Sequence, residues 1–471
     1  MKANAKTHNG ANSYEHSEDL YLEFFSKAGA MFEKRKKHYN ESQSKNALDL
    51  FKDAWRAGDK KLCMQMLMFL RDCRGGQGNR SSFRSILNWL GMNYPEWIIA
   101  NISLVPEVGR WDDLTALYDT PIENWALNLW KQGLNNKETS GLAAKWAGRQ
   151  DKKLRKFLLM SPKDYRKMLV SKTNVVETQM CSNKWGEINY NQVPSVASTR
   201  YVNTFSKHDE KRYKEWKASL ADKSSGSKVN SKAIFPHDLV RAANNSAKDM
   251  ELNVLLERQL QDMPQYIPEN QRIMCVCDFS FSMTVQVFGS VTAMDVCLGL
   301  GLYCSEKVGK ENPFYRKLIP FSDDSKLDSW KDMSFLDAIV NIPNGYVGST
   351  NINSAFDVLL EAAKFFNATK DQMPTTILIL SDMQFNDGCS DSTPVENCIE
   401  KWVSMGYDKP KIVYWNLNAY ENQPATCKDK DVCLVSGYSP AILKSVLACD
   451  ELSPMAVLKR AVEKYNIVEP T

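Results

Sequence analysis

The chain lacks the long apolar runs that mark membrane or secreted proteins. No stretch approaches the roughly 18 uninterrupted apolar residues that a membrane helix needs. The start, MKANAKTHNGANSYEHSEDL, is polar and lacks the apolar core of a signal peptide. We therefore expect a soluble, cytoplasmic protein with no membrane partner.

The sequence also has few histidines and lacks the cysteine spacings that are typical of metal sites. The five histidines are widely dispersed: His8, His16, His38, His208 and His237. The 12 cysteines stand singly, apart from Cys275 and Cys277, without the repeated CxxC or Cys/His spacing of zinc sites. This usage favours reduced, buried thiols in an intracellular protein. No GxxxxGK[ST], HExxH or GxSxG string occurs, so we predict that the protein is not an enzyme.

The length and the distribution of charge divide the chain. A chain of 471 residues is long enough for more than one core. We expect a monomer with four parts: an N-terminal tail (1–17), a helical domain (18–265), a mobile Ser- and Lys-rich loop within it (218–232), and a second domain (266–471). Lys145 to Lys232 hold 20 Lys/Arg against 8 Asp/Glu, whereas residues 272–471 hold 18 against 25. The basic segment is therefore a candidate nucleic-acid surface.

Periodicity separates the two domains in structural class. The segments LYLEFFSKAGAMF, KKLCMQMLMFLRDC and FRSILNWLGMNYPEWIIANISLV carry apolar residues at three- and four-residue spacing, which predicts helices. Breaks such as CRGGQGN and GRWDD suit helical hairpins, although no repeat period is clear. After Gln271, the apolar strands RIMCVCD, FYRKLIPFS, TTILILSD and KIVYWNL alternate with helices. This pattern predicts a parallel sheet covered on both faces.

Oxygen-bearing side chains follow the predicted strands. Asp278, Ser280 and Ser282 form a loop after RIMCVC, Asp382 ends TTILILSD, and Thr350 lies in the loop GYVGSTN before a helix. Ligands of parallel sheets bind at the carboxyl ends of strands, and Mg²⁺ prefers oxygen ligands. Such residues also cap helices, so each motif alone is weak. Their occurrence in this order favours a metal site.

These motifs resemble the metal-ion-dependent adhesion site of von Willebrand A domains. The resemblance implies one divalent cation, Mg²⁺ with Mn²⁺ as the alternative, close to five residues: Asp278, Ser280, Ser282, Thr350 and Asp382. By the same resemblance, the hydroxyls bind the ion, the carboxylates lie near it directly or through water, and one position stays open for a partner's acidic group. Phe281 stands where relatives often carry glycine.

The wider set of motifs resembles an uncharacterised family related to the TROVE proteins, named for telomerase-associated, Ro and vault proteins. The motifs are RDCRGGQGNR, EVGRWDDL, AKWAGRQDKKLRK, DFSFSM, SDMQF, VYWNLN and VSGYSP. The resemblance implies a multi-domain α + α/β protein, with a ring of HEAT-like helical repeats followed by a Rossmann-like von Willebrand A domain. It also implies binding of small noncoding or misfolded RNA.

The candidate RNA contacts are basic residues near glycine-rich turns and aromatic rings, because cations neutralise phosphates and rings stack on bases. They are Arg71, Arg74, Arg80, Arg110, Lys145, Arg149, Lys152, Lys153, Arg155, Lys156, Lys207, His208, Lys211 and Arg212. The competing interpretation is structural: turn arginines bind carbonyls or acids internally, and charge runs are solvated helix faces.

Two other functions remain open at this stage. A protein-interaction adaptor would use the metal to bind a partner's acidic residue and would not bind RNA. A metal-dependent hydrolase is less favoured, because two-metal chemistry needs several carboxylates and only Asp278 and Asp382 are placed by a motif.

Overall fold

A computed structural model gives the structure of the protein. It describes residues 5–6, 12–13, 19–31, 46–173, 175–231, 234–245, 250–268, 271–288, 290–321, 325–343, 352–383, 394–418, 432–447 and 453–470. Within these residues, no helix is both long enough and apolar enough to cross a membrane.

The first half of the chain is helical after a short strand pair. Its strands and α-helices are β1 (Ala5–Lys6), β2 (Asn12–Ser13), α1 (Leu20–Ala28), α2 (Ala47–Arg56), α3 (Lys60–Arg71), α4 (Arg80–Asn93), α5 (Pro95–Asn101), α6 (Leu104–Val108), α7 (Glu123–Asn135), α8 (Ser140–Trp146), α9 (Lys152–Phe157), α10 (Pro162–Lys172), α11 (Val176–Cys181), α12 (Ser195–Arg200), α13 (Val202–His208), α14 (Glu210–Ser219), α15 (Pro236–Asn245) and α16 (Met250–Asp262). Short 3-10 helices include Trp111–Leu117 and Lys223–Ser225.

The second half alternates strands and helices. Its elements are β3 (Ile273–Asp278), β4 (Gln286–Phe288), β5 (Val291–Thr292), α17 (Ala293–Lys307), β6 (Lys317–Phe321), β7 (Asp328–Ser329), α18 (Phe335–Asn341), α19 (Ile352–Phe365), β8 (Thr376–Ser381), α20 (Pro394–Ser404), β9 (Lys411–Asn416), β10 (Val432–Ser436), α21 (Ile442–Leu447) and α22 (Pro454–Val462). A 3-10 turn at Phe281–Thr284 follows β3.

Capping residues set several helix starts in the first half. Asp19, Asn46 and Asn79 each accept a hydrogen bond from a first-turn backbone N–H, which satisfies a donor that the helix itself leaves unpaired. Pro95 begins α5, because proline fits the first turn of a helix but not its interior. The long apolar segment from Phe83 to Val105 is therefore three helices.

The main sheet has six strands in the order β10-β9-β8-β3-β6-β7. The first five are mutually parallel, and β7 pairs antiparallel with β6 at one edge. The interior strands β3 and β8 are buried along their whole length, as expected for strands covered on both faces. The predicted α + α/β class and the predicted parallel sheet are confirmed. The strand β10 was not predicted.

The two halves share one large apolar core, and the helical half touches the sheet half at both of its ends. At its start, α1 packs against β10 and α22, and the Tyr438 hydroxyl donates to the Ala30 carbonyl at 3.1 Å. At its end, α15 packs against α17. The side-chain amide of Asn101 binds the chain's last described segment. Its nitrogen donates to the Val468 carbonyl at 2.8 Å, and its oxygen accepts from the Val468 backbone N–H at 2.9 Å.

The arginine-glycine turn after α3 also meets the sheet half. Gly437 has a φ of +101°, and a Cβ there would lie 1.7 Å from Oε1 of Gln77. Glycine is therefore required at Gly437 both for its backbone conformation and for the close approach of the turn. The arrangement joins the two halves through contacts far apart in sequence, whereas the ring of HEAT-like repeats stays a prediction.

Within the segment predicted as a mobile loop, 218–232, the described residues 218–231 form several contacts, and the mobility itself stays a prediction. Val229 is buried, and the Asn230 amide donates to the carbonyls of Asn191 and Val193 at 3.2 and 2.8 Å. The Ser219 hydroxyl also bonds to that of Ser227 at 2.7 Å. The composition predicts mobility because hydrophobic residues are few, whereas one buried valine and these hydrogen bonds attach part of the segment to the residues around Asn191.

Candidate metal centre and cationic surface

The centre of the sheet places two predicted metal residues side by side. Cys277 on β3 pairs in register with Leu380 on β8, so Asp278 and Ser381 are neighbours where these strands end. Asp278 and Asp382 are both fully buried. The Ser381 hydroxyl donates to Oδ2 of Asp278 at 2.6 Å, and the Ser280 backbone N–H donates to Oδ1 at 3.0 Å. The Asp278 carboxylate is thereby held in one orientation.

The serine pair after β3 has converging hydroxyls. The Oγ atoms of Ser280 and Ser282 lie 3.0 Å apart at the open side of the loop. One residue lies between the two serines, and this spacing lets a tight turn point both hydroxyls to the same side. Two hydroxyl oxygens beside a carboxylate are suitable ligands for a hard cation.

The two buried carboxylates disfavour each other's charge. Burial, followed by the negative charge of Asp382, raises the pKa of Asp278 to about 6, despite hydrogen bonds from Ser381 and Ser280. Among the described residues, no Lys, Arg or His side chain forms an ion pair with Asp278. A bound cation would relieve this repulsion, so the donor set fits a divalent ion on electrostatic grounds.

The remaining ligand candidate, Thr350, lies outside the described residues. Within the described part of the chain, no group of three or more His, Cys, Asp or Glu side chains is arranged to hold a metal. A metal at Asp278 would therefore depend on hydroxyl oxygens as much as on carboxylates.

Phe281, which follows Ser280 in the loop after β3, points into solvent. Its side chain is 82% exposed, between the two serine hydroxyls in sequence. The ring is therefore not packed into the domain, and it forms part of the surface around the two serine hydroxyls.

Sequence reasoning missed Ser381, although the dipeptide Ser381-Asp382 was visible at the end of a predicted strand. Its role depends on the order of the strands, because the paired positions Met274 on β3 and Ile377 on β8 are 103 residues apart, and only strand pairing brings Ser381 to Asp278. On the next strand, Asn416 pairs in register with Ser381 and is also buried. Buried polar residues therefore lie on three neighbouring strand ends, at Asp278, Ser381 and Asn416.

The arginine-glycine turn uses its first arginine internally. Arg71 is only 3% exposed, and its Nε lies 2.7 Å from Oδ2 of the buried Asp113. Arg71 is therefore a structural residue, and we remove it from the candidate RNA contacts. Arg74 is exposed and donates to the Glu107 carbonyl at 3.2 Å.

A cluster of charges surrounds the start of the Trp111–Leu117 helix. Arg84 pairs with Asp113 at 2.7 Å and with Asp112 at 2.9 Å. Arg110 donates to both carboxylate oxygens of Asp112, at 2.8 and 2.5 Å, and its guanidinium carbon lies 3.8 Å from the ring centroid of Trp146. Arg84 was missed from sequence, although its position four residues after Arg80 places both on one face of α4.

Arg80 is the exposed member of this cluster. Within the described residues, no carboxylate oxygen lies within ion-pair distance of its guanidinium. Burial of part of the side chain, together with the positive charges of Arg110 and Arg84, lowers the pKa of Arg80. The cluster therefore has positive charge that its own acids do not balance.

The basic residues of α8 and α9 divide into exposed and engaged groups. Arg149, Lys152 and Lys156 are exposed, and Lys145 lies with its Nζ 5.4 Å from the Trp146 ring centroid. Lys153 forms ion pairs with Asp119 and Glu123, so much of its charge is neutralised.

Arg155 is likewise engaged, because it donates to the Met160 carbonyl at 3.0 Å. Only part of the predicted α8–α9 set is thus free for a partner.

The second predicted basic cluster spans α13 and α14. Lys207, His208 and Lys211 are exposed, and the His208 ring stacks on Trp185 with centroids 4.6 Å apart. Arg212 is also exposed, but its guanidinium donates to the carbonyls of Trp185 and Ile188 at 2.9 and 2.8 Å and to Asp209 at 2.8 Å. Part of its hydrogen-bonding capacity is therefore used within the protein.

Comparison with known proteins shows the family of this chain. The family described as "Domain of unknown function (DUF2828)" matches residues 7–119 and 143–278, which together are more than half of the chain. The chain belongs to this family. A second description, "Domain of unknown function (DUF7788)", matches residues 272–466 and so covers the sheet half of this family member.

One similar protein is "Uncharacterized protein L728" of Acanthamoeba polyphaga mimivirus, 26% identical over 522 residues, which are 98% of this chain and 87% of the relative. A solved structure, the Ro (RSR) protein of Deinococcus radiodurans, matches 95% of this chain and 100% of its own, with a TM-score of 0.48 and 12% identity. The family descriptions state no function. The metal and RNA assignments are therefore argued from the residues of this chain.

Proposed function

We propose that this protein binds RNA through the cationic surface of its helical half and carries one divalent cation, Mg²⁺, at the carboxyl edge of its sheet. One observation carries the RNA assignment: around Trp146, the exposed Arg80 and the partly exposed Arg110 and Lys145 form a surface with excess positive charge. The sequence resemblance to the TROVE family supports the same conclusion.

The physical argument for RNA rests on charge and on rings. Lysine and arginine neutralise phosphates and release counterions, and aromatic rings beside them stack on unpaired bases. Lys152 and Lys156 extend the positive surface along α9. The stacked pair Trp185 and His208 offers a second place where an aromatic face lies among exposed lysines.

The metal assignment rests on the buried carboxylates and the serine hydroxyls. Asp278, Ser280, Ser282 and Asp382 would hold the cation, with Thr350 completing the set as the sequence motif predicts. The cation would supply an attractive position for an anionic oxygen of a ligand. The chain's own residues orient the site: Ser381 fixes the Asp278 carboxylate, and the turn after β3 directs the two hydroxyls to one side.

The test of RNA binding is salt-dependent affinity. A filter-binding assay with single-stranded RNA should show affinity that falls as salt rises, with a slope of log affinity against log salt that reports the number of phosphates contacted. A variant with Lys152→Ala and Lys156→Ala should bind more weakly and with a shallower slope. The matched control removes two exposed lysines from the acidic half, Lys310→Ala and Lys364→Ala, and should bind as the wild type does. Absence of RNA binding at low salt would overturn the proposal.

A second candidate, the protein-interaction adaptor, is favoured by the exposed Phe281. An apolar ring beside a cation suits a protein partner that presents an acidic residue next to an apolar one. This function predicts metal-dependent recovery of a protein from cell extract, which Asp278→Ala abolishes and nuclease treatment leaves unchanged. Loss of the recovered protein after nuclease treatment would reject it.

A further inference from the structure

The arginines between α3, α4 and the Trp111–Leu117 helix form a cluster with an excess of positive charge. Four arginines share two carboxylates: Arg71, Arg80, Arg84 and Arg110 lie around Asp112 and Asp113. The surplus is two positive charges. Because the Arg84 and Arg110 side chains are only 28% and 25% exposed, solvent screens these charges less than at an open surface.

The geometry of the cluster is fixed before any ligand binds. Asp112 accepts from Arg110 through both carboxylate oxygens and also pairs with Arg84, so both guanidinium groups are anchored to one residue. The Trp146 ring supports the Arg110 guanidinium at 3.8 Å. Arginines held in this way lose little conformational entropy when an anion binds.

The exposed side of the cluster is the start of α4. Arg80 is the first residue of this 14-residue helix, and Arg84 follows one turn later on the same face. Arg80 therefore stands at the positive end of the helix macrodipole, where a cation is disfavoured and an anion is favoured. Arg80 adds its charge to those of Arg84 and Arg110 at this helix end, so the local electrostatic potential is positive.

We propose that Arg80, Arg84 and Arg110 form a subsite for the terminal phosphate monoester of an RNA strand. The inference rests on the proposed RNA binding and adds which part of the RNA is recognised. An internal phosphodiester carries one negative charge, whereas a monoester carries close to two at neutral pH, which matches the surplus of the cluster. Arg80 contacts the phosphate, and Arg84 and Arg110 supply the remaining positive charge around it. Trp146 is a positioning residue that supports the Arg110 guanidinium.

The test compares RNA ends on the full chain. Fluorescence anisotropy with one single-stranded 12-nucleotide RNA, carrying a 5′-phosphate, a 3′-phosphate or only hydroxyl ends, should show about tenfold tighter binding of a phosphorylated form. Arg80→Gln should reduce that preference to about twofold or less, while the affinity for the hydroxyl-ended RNA changes less. Arg56→Gln removes an exposed arginine elsewhere and should keep the full preference.

Further measurements distinguish an RNA end from a free nucleotide as the source of the phosphate, and they distinguish failure of the subsite from failure of RNA binding. Competition by adenosine monophosphate at millimolar concentration should remove the preference if the subsite also takes free nucleotides, and resistance to it assigns the subsite to RNA ends. Equal binding of all RNA ends by the wild type, or a preference that Arg80→Gln leaves intact, rejects the subsite and leaves RNA binding standing. Failure of every RNA to bind rejects both.

Discussion

The hydroxyl of Ser381 donates a hydrogen bond to Oδ2 of Asp278 at 2.6 Å, across two parallel strands that are far apart in the sequence. Both residues are fully buried. The bond satisfies one oxygen of a carboxylate that no cationic side chain of the described residues pairs with.

Ser381→Ala should therefore destabilise the protein. Removal of the donor leaves a buried carboxylate oxygen without its partner, which costs about 1–3 kcal/mol of unfolding free energy. Urea denaturation followed by circular dichroism measures the loss. Ser404→Ala removes an exposed hydroxyl and should change the free energy by less than about 0.5 kcal/mol. Equal effects of the two variants would contradict the assigned role of Ser381.

The proposed cation should stabilise the wild type in thermal unfolding experiments. Millimolar Mg²⁺ should raise its Tm, because a ligand of the folded state shifts the unfolding equilibrium. Asp278→Asn should abolish this rise. Without Mg²⁺, the same variant should be no less stable than the wild type, since it removes the repulsion between Asp278 and Asp382. Asp357→Asn, at a carboxylate on α19 that pairs with Lys401, should keep the Mg²⁺ response. A persisting Mg²⁺ response in Asp278→Asn would place the cation elsewhere.

The buried pair of Arg71 and Asp113 should matter for stability and not for RNA contact. Arg71→Met leaves the Asp113 charge without one of its partners inside the protein, and we expect a loss of about 3–5 kcal/mol. Arg56→Met breaks an exposed pair with Asp53 and should cost about 1 kcal/mol or less. Urea titration of both variants gives the comparison, and an Arg71→Met variant as stable as Arg56→Met would refute the structural assignment.

His237 should make the protein sensitive to acid. Its ring is buried between Phe235 and Tyr438. Burial lowers its pKa below the ordinary value near 6.5, although the carboxylates of Asp238 and Asp295 oppose the shift. The unfolded chain thus binds a proton that the folded state resists, so stability is lost as the pH falls below about 6.5.

This contribution has a maximum slope of about 1.4 kcal/mol per pH unit. His237→Phe should show a shallower fall of unfolding free energy between pH 7 and pH 5 than the wild type. Met92→Phe, at an exposed residue without a titratable group, is the control and should keep the wild-type slope. An identical slope in the His237 variant would mean that its protonation does not contribute.

Local patterns predicted much of the fold and part of the site. The apolar runs ending at Asp278 and Asp382 were assigned to strands correctly, because continuous apolar segments in a covered parallel sheet have a clear signature. The short β10 was missed. The burial of Val229 was also missed, because the surrounding segment is rich in Ser and Lys and has few apolar residues. The charge run on α9 was recognised, but the engagement of Lys153 by Asp119 and Glu123 was not.

The sequence by itself determined the two structural classes, the strand-end position of Asp278, Ser280 and Ser282, and the basic character of the helical half, since these depend on local periodicity and composition. Only the tertiary structure decided which charges are available. It buried Arg71 against Asp113, left Arg80 exposed, and brought Ser381 to Asp278. These relationships join residues that are distant in the chain, and the order of strands and the packing of helices place them together.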